Sequence, residues 1–564
     1  MPPQALLRHF RPRWLILATT SLIVSQIIGL ATPYLIKLAI DEGIARANAD
    51  LLWTLGAAGL ILYTLGALTR FSGQWYATLA GEDFWEGARD EVFQHVQKLS
   101  LATLATQRTG ELVSRIYSDT FHIKQLATSV LPAITSLLVG VGGTAAILIW
   151  LDPRLALLAA IPLPVGWLLL HIFRRRVRPM SRARLETMAA LHSSLHEGLA
   201  GIADIQALGA REIFARRVRD AGRSLKAAEL ALASHRARLG PAVDLALSLV
   251  LLATLVIGGQ YVIDGSLSVG TLVVFYFYVG RCLGPLRGVP GILYGWHGAR
   301  AAAERIDALL AIEPRKPAEP SQLTPRPGPL TVRVESLSFA YPSSNIAASS
   351  TSPGVIAGLD LEIAPSEAVA ILGPSGAGKS TTGRLLLNLF DPEEGRVILQ
   401  GIDARQWPLA ELRRRVGYVG QEIFLFDGSL RDNLFIAMNP EERRRAEPYL
   451  DAILKLAGLQ DFVHDHPDGL DAPMGERGAR LSGGQKKRVA LARALLRDPD
   501  LIIIDQMATD LEESLNARIF SALRDRKLTM IYLGHRVPAG LNPEHVFWME
   551  AGCLHPGPPD LYQP

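Results

Sequence analysis

The sequence has few cysteines and a small net charge. Only two cysteines, Cys282 and Cys553, occur among 564 residues, far apart and without His or Cys neighbours at metal-ligand spacing. Neither a disulfide framework nor a cysteine metal site is therefore expected, and a reducing cytosolic face fits this usage. The 58 basic and 54 acidic residues leave a formal net charge of +4, which gives little reason to expect a nucleic-acid groove as a partner site.

The N-terminus lacks the pattern of a signal peptide. MPPQALLRHFRPRW contains no short apolar stretch that ends in a small-residue cleavage site, and the apolar run after it is too long for one. We expect this segment to stay attached.

Long apolar runs are what the first half does contain. Residues 14–40 are long enough to cross about 30 Å of hydrocarbon as a helix. A single run of this kind also fits a buried helix of a soluble protein, but a series of six predicts a membrane domain and a lipid bilayer as partner. The candidate spans are 14–40, 52–71, 128–151, 155–173, 243–263 and 269–288.

Basic residues predict the orientation of these spans. Arg8, Arg11 and Arg13 precede the first span and RRRVR at 174–178 follows the fourth, whereas the segments after the first and fifth spans hold a single arginine. The positive-inside rule then places the N-terminus in the cytoplasm of a multi-pass protein, most simply in a bacterial inner membrane.

We predict cytosolic helical extensions in two polar stretches, one between spans two and three and one between spans four and five. Each has a turn-like point, at 107–119 and 197–212. Solvated hairpins are the alternative for both.

A proline-rich linker divides the chain. Residues 311–330 hold six prolines, which favour an extended connector. We expect a transmembrane domain at 1–310 and a second domain at 331–564, in which short β-rich runs alternate with helical ones as in an α/β domain with a largely parallel sheet. The stretch 343–354 reads as a flexible loop within it.

A phosphate-binding loop lies at 373–380. GPSGAGKS follows the apolar run AVAIL and precedes a helical segment, the context that the G-x-x-x-x-G-K-[ST] pattern requires. Its glycines allow backbone N–H groups to surround phosphates, the lysine reaches the terminal phosphates, and the serine offers a hydroxyl to Mg²⁺. The predicted ATP-binding residues of the loop are Gly373, Pro374, Ser375, Gly376, Ala377, Gly378, Lys379, Ser380 and Thr381.

A carboxylate ends a second apolar run. Asp505 follows LIII at 501–504, and we predict that it binds Mg²⁺ together with Ser380. An ordinary aspartate at the end of a strand is the alternative.

The sequence LSGGQ at 481–485 carries a specific resemblance to a known family. Between a phosphate loop and a strand ending in aspartate, it resembles the signature of ATP-binding-cassette (ABC) proteins, and the six preceding spans make the whole chain similar to an exporter half-transporter. The resemblance implies a fold: an all-α six-helix transmembrane domain with long cytosolic extensions, followed by a soluble α/β cassette. It also implies nucleotide contacts from Ser482, Gly483, Gly484 and Gln485.

Other residues fall where this family has functional ones. Tyr341 in SFAYP resembles the aromatic that stacks on adenine, and Gln421 resembles the glutamine that contacts Mg²⁺ and links the nucleotide to the membrane domain. MGERG at 474–478 resembles the segment before the signature, and His535 resembles the histidine at the γ-phosphate. Taken singly, Tyr341 and His535 would more often be core or surface residues.

Two cassettes close head to tail in this family, so the resemblance implies a second half-transporter as partner, which completes each ATP site. It also assigns the two cytosolic turns as coupling helices. ATP-driven closure would then move the spans between inward-open and outward-open states.

Gln506 stands where the family pattern has a catalytic glutamate. An amide can hold a water molecule but cannot accept its proton, so general-base catalysis is weakened while ATP binding persists. The following residues, Met507 to Glu512, also depart from the family pattern. We therefore favour the non-hydrolysing half of a heterodimer. A homodimer trapped by a Glu to Gln substitution is the alternative.

Arg281 lies within the sixth span, where a charge is costly unless it faces a cavity or a partner. We predict a role in the substrate path, with snorkelling or pairing within the bundle as the alternative. The cargo, a small molecule, peptide or lipid-like substrate, is not determined by these residues. An importer of a metal chelate, a soluble cassette ATPase and a nucleotide-gated channel are the competing functions.

Overall fold

The computed structural model of the chain describes Leu6 and residues 8–160, 162–315, 325–341, 354–507 and 512–557. Inside some helices, chiefly at 161–178 and 282–287, side chains are not described. Several predictions fall outside these residues or side chains. They concern Cys282, the basic run 174–178, linker residues 316–324, loop residues 343–353 and residues 508–511.

The chain forms two units. The first comprises Met1–Phe93 and Val113–Ala311, and the second comprises Gln94–Leu112 and Ile312–Pro564. Up to Ala311 the described residues are almost entirely helical. The helices are α1 (Pro12–Ile44), α2 (Ala49–Lys98), α3 (Leu101–Ala105), α4 (Thr109–Leu151), α5 (Pro153–Ala160), α6 (Pro162–Ala200), α7 (Ile202–Ala207), α8 (Arg211–Ile263) and α9 (Val269–Leu310).

Several helices have the length and composition to span a membrane. Among the described residues these are α1, α2 and α4, and shorter apolar stretches lie at Ser248–Ile263 and Val269–Arg281. The predicted span at 155–173 falls largely on undescribed side chains. The most apolar window of α2 buries none of its residues within the chain, and such a surface is suited to lipid rather than to water.

Helix α9 is held to α1 and α4 by polar contacts. The hydroxyl of fully buried Tyr278 donates to the carbonyl oxygen of Leu30. The guanidinium of Arg305 donates Nε to Asp119 Oδ2 at 2.9 Å. These contacts fix the rotation of α9 about its axis.

The first of the two predicted turns matches the structure only in part. Helix α4 already begins at Thr109, so the predicted turn at 107–119 includes the non-helical residues Gln107 and Arg108 but extends too far into α4, and the break as a whole falls between Lys98 and Thr109. The reason is local capping, since Ser100 Oγ accepts a hydrogen bond from Thr103 N at 3.1 Å and starts α3. The second predicted turn, 197–212, does contain a break, at Gly209–Ala210 after α7.

The second unit is built around two sheets. Its strands are β1 (Val332–Phe339), β2 (Ile356–Ile363), β3 (Ala368–Leu372), β4 (Glu394–Leu399), β5 (Ile402–Asp403), β6 (Val416–Val419), β7 (Leu501–Asp505), β8 (Thr529–Gly534), β9 (His545–Glu550) and β10 (Cys553–Pro556). One sheet has the order β2-β1-β4-β5 and the other the order β10-β9-β3-β8-β7-β6.

Helices pack around these sheets. They are α10 (Lys379–Leu386), α11 (Leu409–Arg415), α12 (Leu430–Phe435), α13 (Pro440–Ala446), α14 (Leu450–Leu456), α15 (Gln460–Asp465), α16 (Gly483–Leu495) and α17 (Glu513–Asp525).

The larger sheet positions the site. Strand β3 pairs in parallel with β8 and β9, and β7 pairs in parallel with β6 and β8. Every residue of β3, β7 and β8 is buried, as expected for a parallel sheet covered on both faces. The predicted α/β class is confirmed, and the carboxyl ends of β3, β7 and β8 meet at one edge.

Candidate nucleotide-binding site

The loop after β3 connects it to α10 through two glycines in the left-handed region. Gly376 has φ 83° and Gly378 has φ 108°, which only glycine adopts without strain. A Cβ at Gly378 would also lie 2.8 Å from the carbonyl oxygen of Val355. No side chain caps the start of α10, so the backbone N–H groups of its first turn remain available to an anion.

Lys379 is held inside this loop. Its side chain is 4% exposed, and Nζ donates to the carbonyl oxygens of Gly373 at 2.8 Å and Pro374 at 2.7 Å. Burial lowers the pKa of Lys379, and the nearby Asp505 carboxylate opposes that shift. Pro374, Ser375 and Gly376 form the exposed tip, whereas Ala377 and Thr381 are buried.

Asp505 ends β7 beside the loop. It is 1% exposed, and neither carboxylate oxygen has a hydrogen-bond partner among the described residues. Burial raises the pKa of Asp505, against smaller lowering effects from Ser380, Arg384 and Lys379. A buried carboxylate with free oxygens fits a bound cation.

The donor set around Asp505 fits Mg²⁺ rather than a metal held by protein ligands alone. Among the described residues, no three His, Cys, Asp or Glu side chains come together as a metal cluster. Mg²⁺ commonly takes one carboxylate, a hydroxyl and phosphate oxygens. Burial also raises the pKa of neighbouring Tyr418 to about 12, with Asp505 contributing, so Tyr418 remains a neutral phenol.

Gln506 connects three segments of the unit. Its side-chain Oε1 accepts from Gln421 Nε2 at 3.0 Å, and its N–H donates to the Leu533 carbonyl oxygen at 2.8 Å. Its carbonyl oxygen accepts from Lys487 Nζ at 2.6 Å. Sequence reasoning missed Lys487, although a lysine just after LSGGQ on an otherwise apolar helix face was a usable signal.

His535 and Tyr341 both lie beside the phosphate loop. The Nδ1 atom of His535, just after β8, is 2.9 Å from the Gly373 carbonyl oxygen. The Tyr341 hydroxyl is 3.0 Å from Thr381 Oγ1, and its half-buried ring packs edge-on against Phe390 with a centroid distance of 5.4 Å. The structure therefore brings both predicted residues to the loop.

The LSGGQ segment leads into α16, with Ser482 and Gly483 exposed and Leu481 buried. Ser482 Oγ accepts from Gln485 N at 3.2 Å, and Gln485 Oε1 accepts from Ser482 N at 2.8 Å. This capping box fixes the helix start. Gly483 is exposed, and a Cβ there would meet no described atom within 4 Å. In the described part of the chain, these side-chain hydrogen bonds stay within the segment and do not reach the phosphate loop.

The predicted site residues thus divide into three groups. The loop, Asp505, Gln421, Gln506, Tyr341 and His535 lie around one edge of the larger sheet. Ser482 to Gln485 present a separate helix N-terminus. Arg281 lies in the helical unit, where it lines a cavity of about 370 Å³.

Comparison with known proteins agrees with this arrangement. Residues 15–286 match the family described as "ABC transporter transmembrane region", and residues 356–509 match the family described as "ABC transporter".

Similar proteins come from bacteria and a fungus. An ATP-dependent lipid A-core flippase of Chromobacterium violaceum is 26% identical over 96% of this chain and 91% of its own length. The uncharacterized ABC transporter ATP-binding protein YwjA of Bacillus subtilis is 26% identical over 92% of this chain and 88% of its own. The ABC multidrug transporter mdr2 of Aspergillus fumigatus is 30% identical over 93% of this chain and 66% of its own. The chain belongs to the ABC transporters and has the order of an exporter half-transporter, a helical membrane region followed by an ATP-binding cassette.

Proposed function

We propose that this chain is the weakly hydrolysing half of a heterodimeric exporter. It would move a small or amphipathic substrate across a bacterial inner membrane, with the N-terminus and the cassette in the cytoplasm. Similarity to a lipid A-core flippase and to a multidrug transporter supports an exporter. These two relatives are named for different cargoes, so they do not identify the substrate. The observation that carries the proposal is Gln506 at the end of β7, where its side chain is bound to Gln421.

The phosphate loop would hold the nucleotide. The uncapped N–H groups of α10 and the ammonium of Lys379 supply positive charge where the β- and γ-phosphates would bind. Tyr341 would stack on adenine, and His535 would contact the γ-phosphate. The LSGGQ of the partner chain would complete the half-site, because among the described residues the side-chain hydrogen bonds of Ser482 and Gln485 do not reach this chain's own loop.

Asp505, Ser380 and Gln421 would hold Mg²⁺ at this loop. Asp505 is suited to this role because its buried oxygens have no hydrogen-bond partner among the described residues. When bound, the metal neutralises phosphate charge.

Gln506 would then limit hydrolysis without limiting binding. Its amide can orient a water molecule but cannot take its proton at neutral pH. General-base assistance of this kind is worth roughly 10²–10⁴ in rate. The intact LSGGQ would complete a competent site whose phosphate loop and glutamate belong to the partner.

Native mass spectrometry of the complex, extracted from its own membranes in a mild detergent, tests the heterodimer. Two different subunit masses are expected. A dimer of this chain alone would overturn the heterodimer and place Gln506 in both sites. Restoration of turnover by Gln506→Glu in that dimer would then identify the trapped homodimer.

A further inference from the structure

The helical unit contains a polar cavity that the nucleotide site does not use. It measures about 370 Å³ and lies among α1, α2, α4 and α9. Its polar lining includes Arg70, Arg281, Gln26, Gln74 and Ser136. The volume is within the range of small-molecule sites.

Arg281 lines this cavity and lies in the interior of α9. It is about 18 Å along α9 from Val269, at 1.5 Å per residue, a distance shorter than the thickness of a hydrocarbon core of about 30 Å. A cation inside such a core is costly unless it serves a cavity or a partner. Its position is therefore evidence of a function.

The Arg281 side chain is directed across the bundle and not along it. Its guanidinium rests on Gly29 of α1, where an added Cβ would lie only 2.2 Å from Nη2. One turn earlier on α9, the Tyr278 hydroxyl is bound to the Leu30 carbonyl oxygen. The guanidinium is thus held towards α1 and does not snorkel to a helix end.

Neither cavity arginine has an anionic partner in the described part of the chain. Among the residues that the structure describes, neither Arg70 nor Arg281 forms an ion pair or donates a side-chain hydrogen bond. Arg305, by contrast, is paired with Asp119 in the same unit. Two cations that face one cavity repel each other, and an anion between them would relieve that repulsion.

We propose that this cavity binds the anionic group of an amphipathic substrate, a phosphate, sulfate or carboxylate, between Arg70 and Arg281. This inference rests on the proposed transport function. Guanidinium groups bind such oxyanions through paired hydrogen bonds. Gln26 and Ser136 can supply further hydrogen bonds. Leu22 and Pro132 also line the cavity and can contact the apolar part of the substrate.

Equilibrium binding to the purified complex, without ATP, tests the charge preference. One arm compares tritiated oestrone sulfate with oestrone, which differ only in the sulfate. A second arm uses native mass spectrometry to compare retention of phosphatidylglycerol and phosphatidylcholine. We expect at least about tenfold tighter binding of the anion in one arm or both, as for a charge-assisted hydrogen bond. A preference for oestrone sulfate alone identifies a diffusible substrate, and one for phosphatidylglycerol alone identifies a lipid headgroup.

Matched variants test whether the tighter binding of anionic probes arises in the cavity. Arg281→Gln and Arg70→Gln should abolish this anion preference. Arg46→Gln should leave it unchanged, because Arg46 is exposed and paired with Glu42 outside the cavity. Gly29→Ala keeps both charges but displaces the Arg281 guanidinium, and it should weaken anion binding about tenfold.

Binding of a fluorescent ATP analogue to the same samples tests separately whether the cassette binds nucleotide. Its loss in wild-type protein would count against the proposed function and not against the cavity. Equal binding of charged and neutral probes in both arms would overturn the inference, as would a preference that survives in Arg281→Gln and Arg70→Gln. If the arginine variants misfold, full anion preference in Gly29→Ala would overturn it instead.

Discussion

The amide Nε2 of Gln421 donates a hydrogen bond to Oε1 of Gln506 at 3.0 Å. This bond joins the segment after β6 to the end of β7, next to the Asp505 carboxylate, whose oxygens have no hydrogen-bond partner among the residues that the structure describes. It occupies one lone pair of the only acceptor atom in the Gln506 side chain. The remaining NH₂ group can only donate, which is the opposite of what a general base requires.

Replacing Gln506 with Glu should increase hydrolysis at this chain's own site. The carboxylate retains an acceptor for Gln421 and adds a basic oxygen, so we expect a gain of about 10²–10⁴ in rate. Single-turnover hydrolysis measures this in a complex whose other site has been inactivated through the partner's phosphate loop. Gln506→Ala is the control and should give no gain. An unchanged rate in the Glu variant would show that this amide does not limit hydrolysis.

Lys379→Ala should weaken ATP binding at this chain. Loss of charge-assisted bonds to phosphate costs about 1.5–3 kcal/mol, roughly 10- to 150-fold in affinity. Photolabelling of this subunit by an azido-ATP analogue gives the readout. Lys455→Ala removes an exposed lysine of α14 and should have no effect. Equal labelling of the Lys379 variant and wild type would refute the assignment of the loop.

Asp505→Asn should stabilise the ligand-free complex. Because burial raises the pKa of Asp505, the native state binds this proton more tightly than the unfolded state does, and stability falls as pH rises from the ordinary aspartate pKa through the raised one. At pH 7 the substitution removes a buried, unpaired charge, a gain of about 1–3 kcal/mol in the free energy of unfolding. Melting temperatures without Mg²⁺ and nucleotide measure it.

Mg²⁺ with ATP should reverse that advantage, because bound cation stabilises only the wild-type carboxylate. Below the ordinary aspartate pKa the two proteins should melt alike. A ligand-free Asn variant that melts lower than wild type at pH 7 would contradict the unpaired-charge interpretation.

Ser482→Ala should lower ATP turnover at the partner's competent site. The substitution breaks the capping box of α16, at a cost of about 1 kcal/mol. Ser429→Ala is a matched control, since Ser429 forms an equivalent capping box with Asp432 at the start of α12. Both variants should lose similar stability, and only Ser482→Ala should reduce steady-state hydrolysis by the complex. Equal activity in the two variants would count against a role for Ser482 at the nucleotide.

Tyr341→Phe and Tyr341→Ala separate stacking from hydrogen bonding. Phe keeps the ring but loses the hydroxyl that lies 3.0 Å from Thr381 Oγ1. If Tyr341 stacks on adenine, the Phe variant should bind ATP almost normally and the Ala variant should lose about 1–3 kcal/mol of binding free energy. Isothermal titration of the complex measures both. Similar losses in Phe and Ala would assign Tyr341 to loop packing instead.

Sequence alone was sufficient where function depends on a contiguous segment. GPSGAGKS predicted a strand, a glycine loop and a helix, and the structure has β3, two glycines of positive φ and α10. Asp505 was predicted to end a buried strand and does so. Such features follow from local hydrophobic pattern and from backbone conformations that few residues adopt.

Other features depend on residues far apart in the chain. The antiparallel sheet β2-β1-β4-β5 was not predicted, because a local pattern can indicate a strand but not its partner, and β1 pairs with β2 and β4 across intervening segments. The contact of Lys487 with the Gln506 carbonyl oxygen joins α16 to the end of β7. The pattern of α16 could single out Lys487 but could not identify its partner.

The sequence by itself determined the family, the apolar spans, the phosphate loop, the signature and the amide at position 506, because each is written in consecutive residues. Only the tertiary structure decided that Gln421 binds Gln506, that neither Asp505 oxygen has a hydrogen-bond partner among the described residues, and that Arg70 lines the same cavity as Arg281. Those relationships arise when packing of helices and strands brings distant side chains together in a low-dielectric interior, where the presence or absence of a partner decides what each group can do.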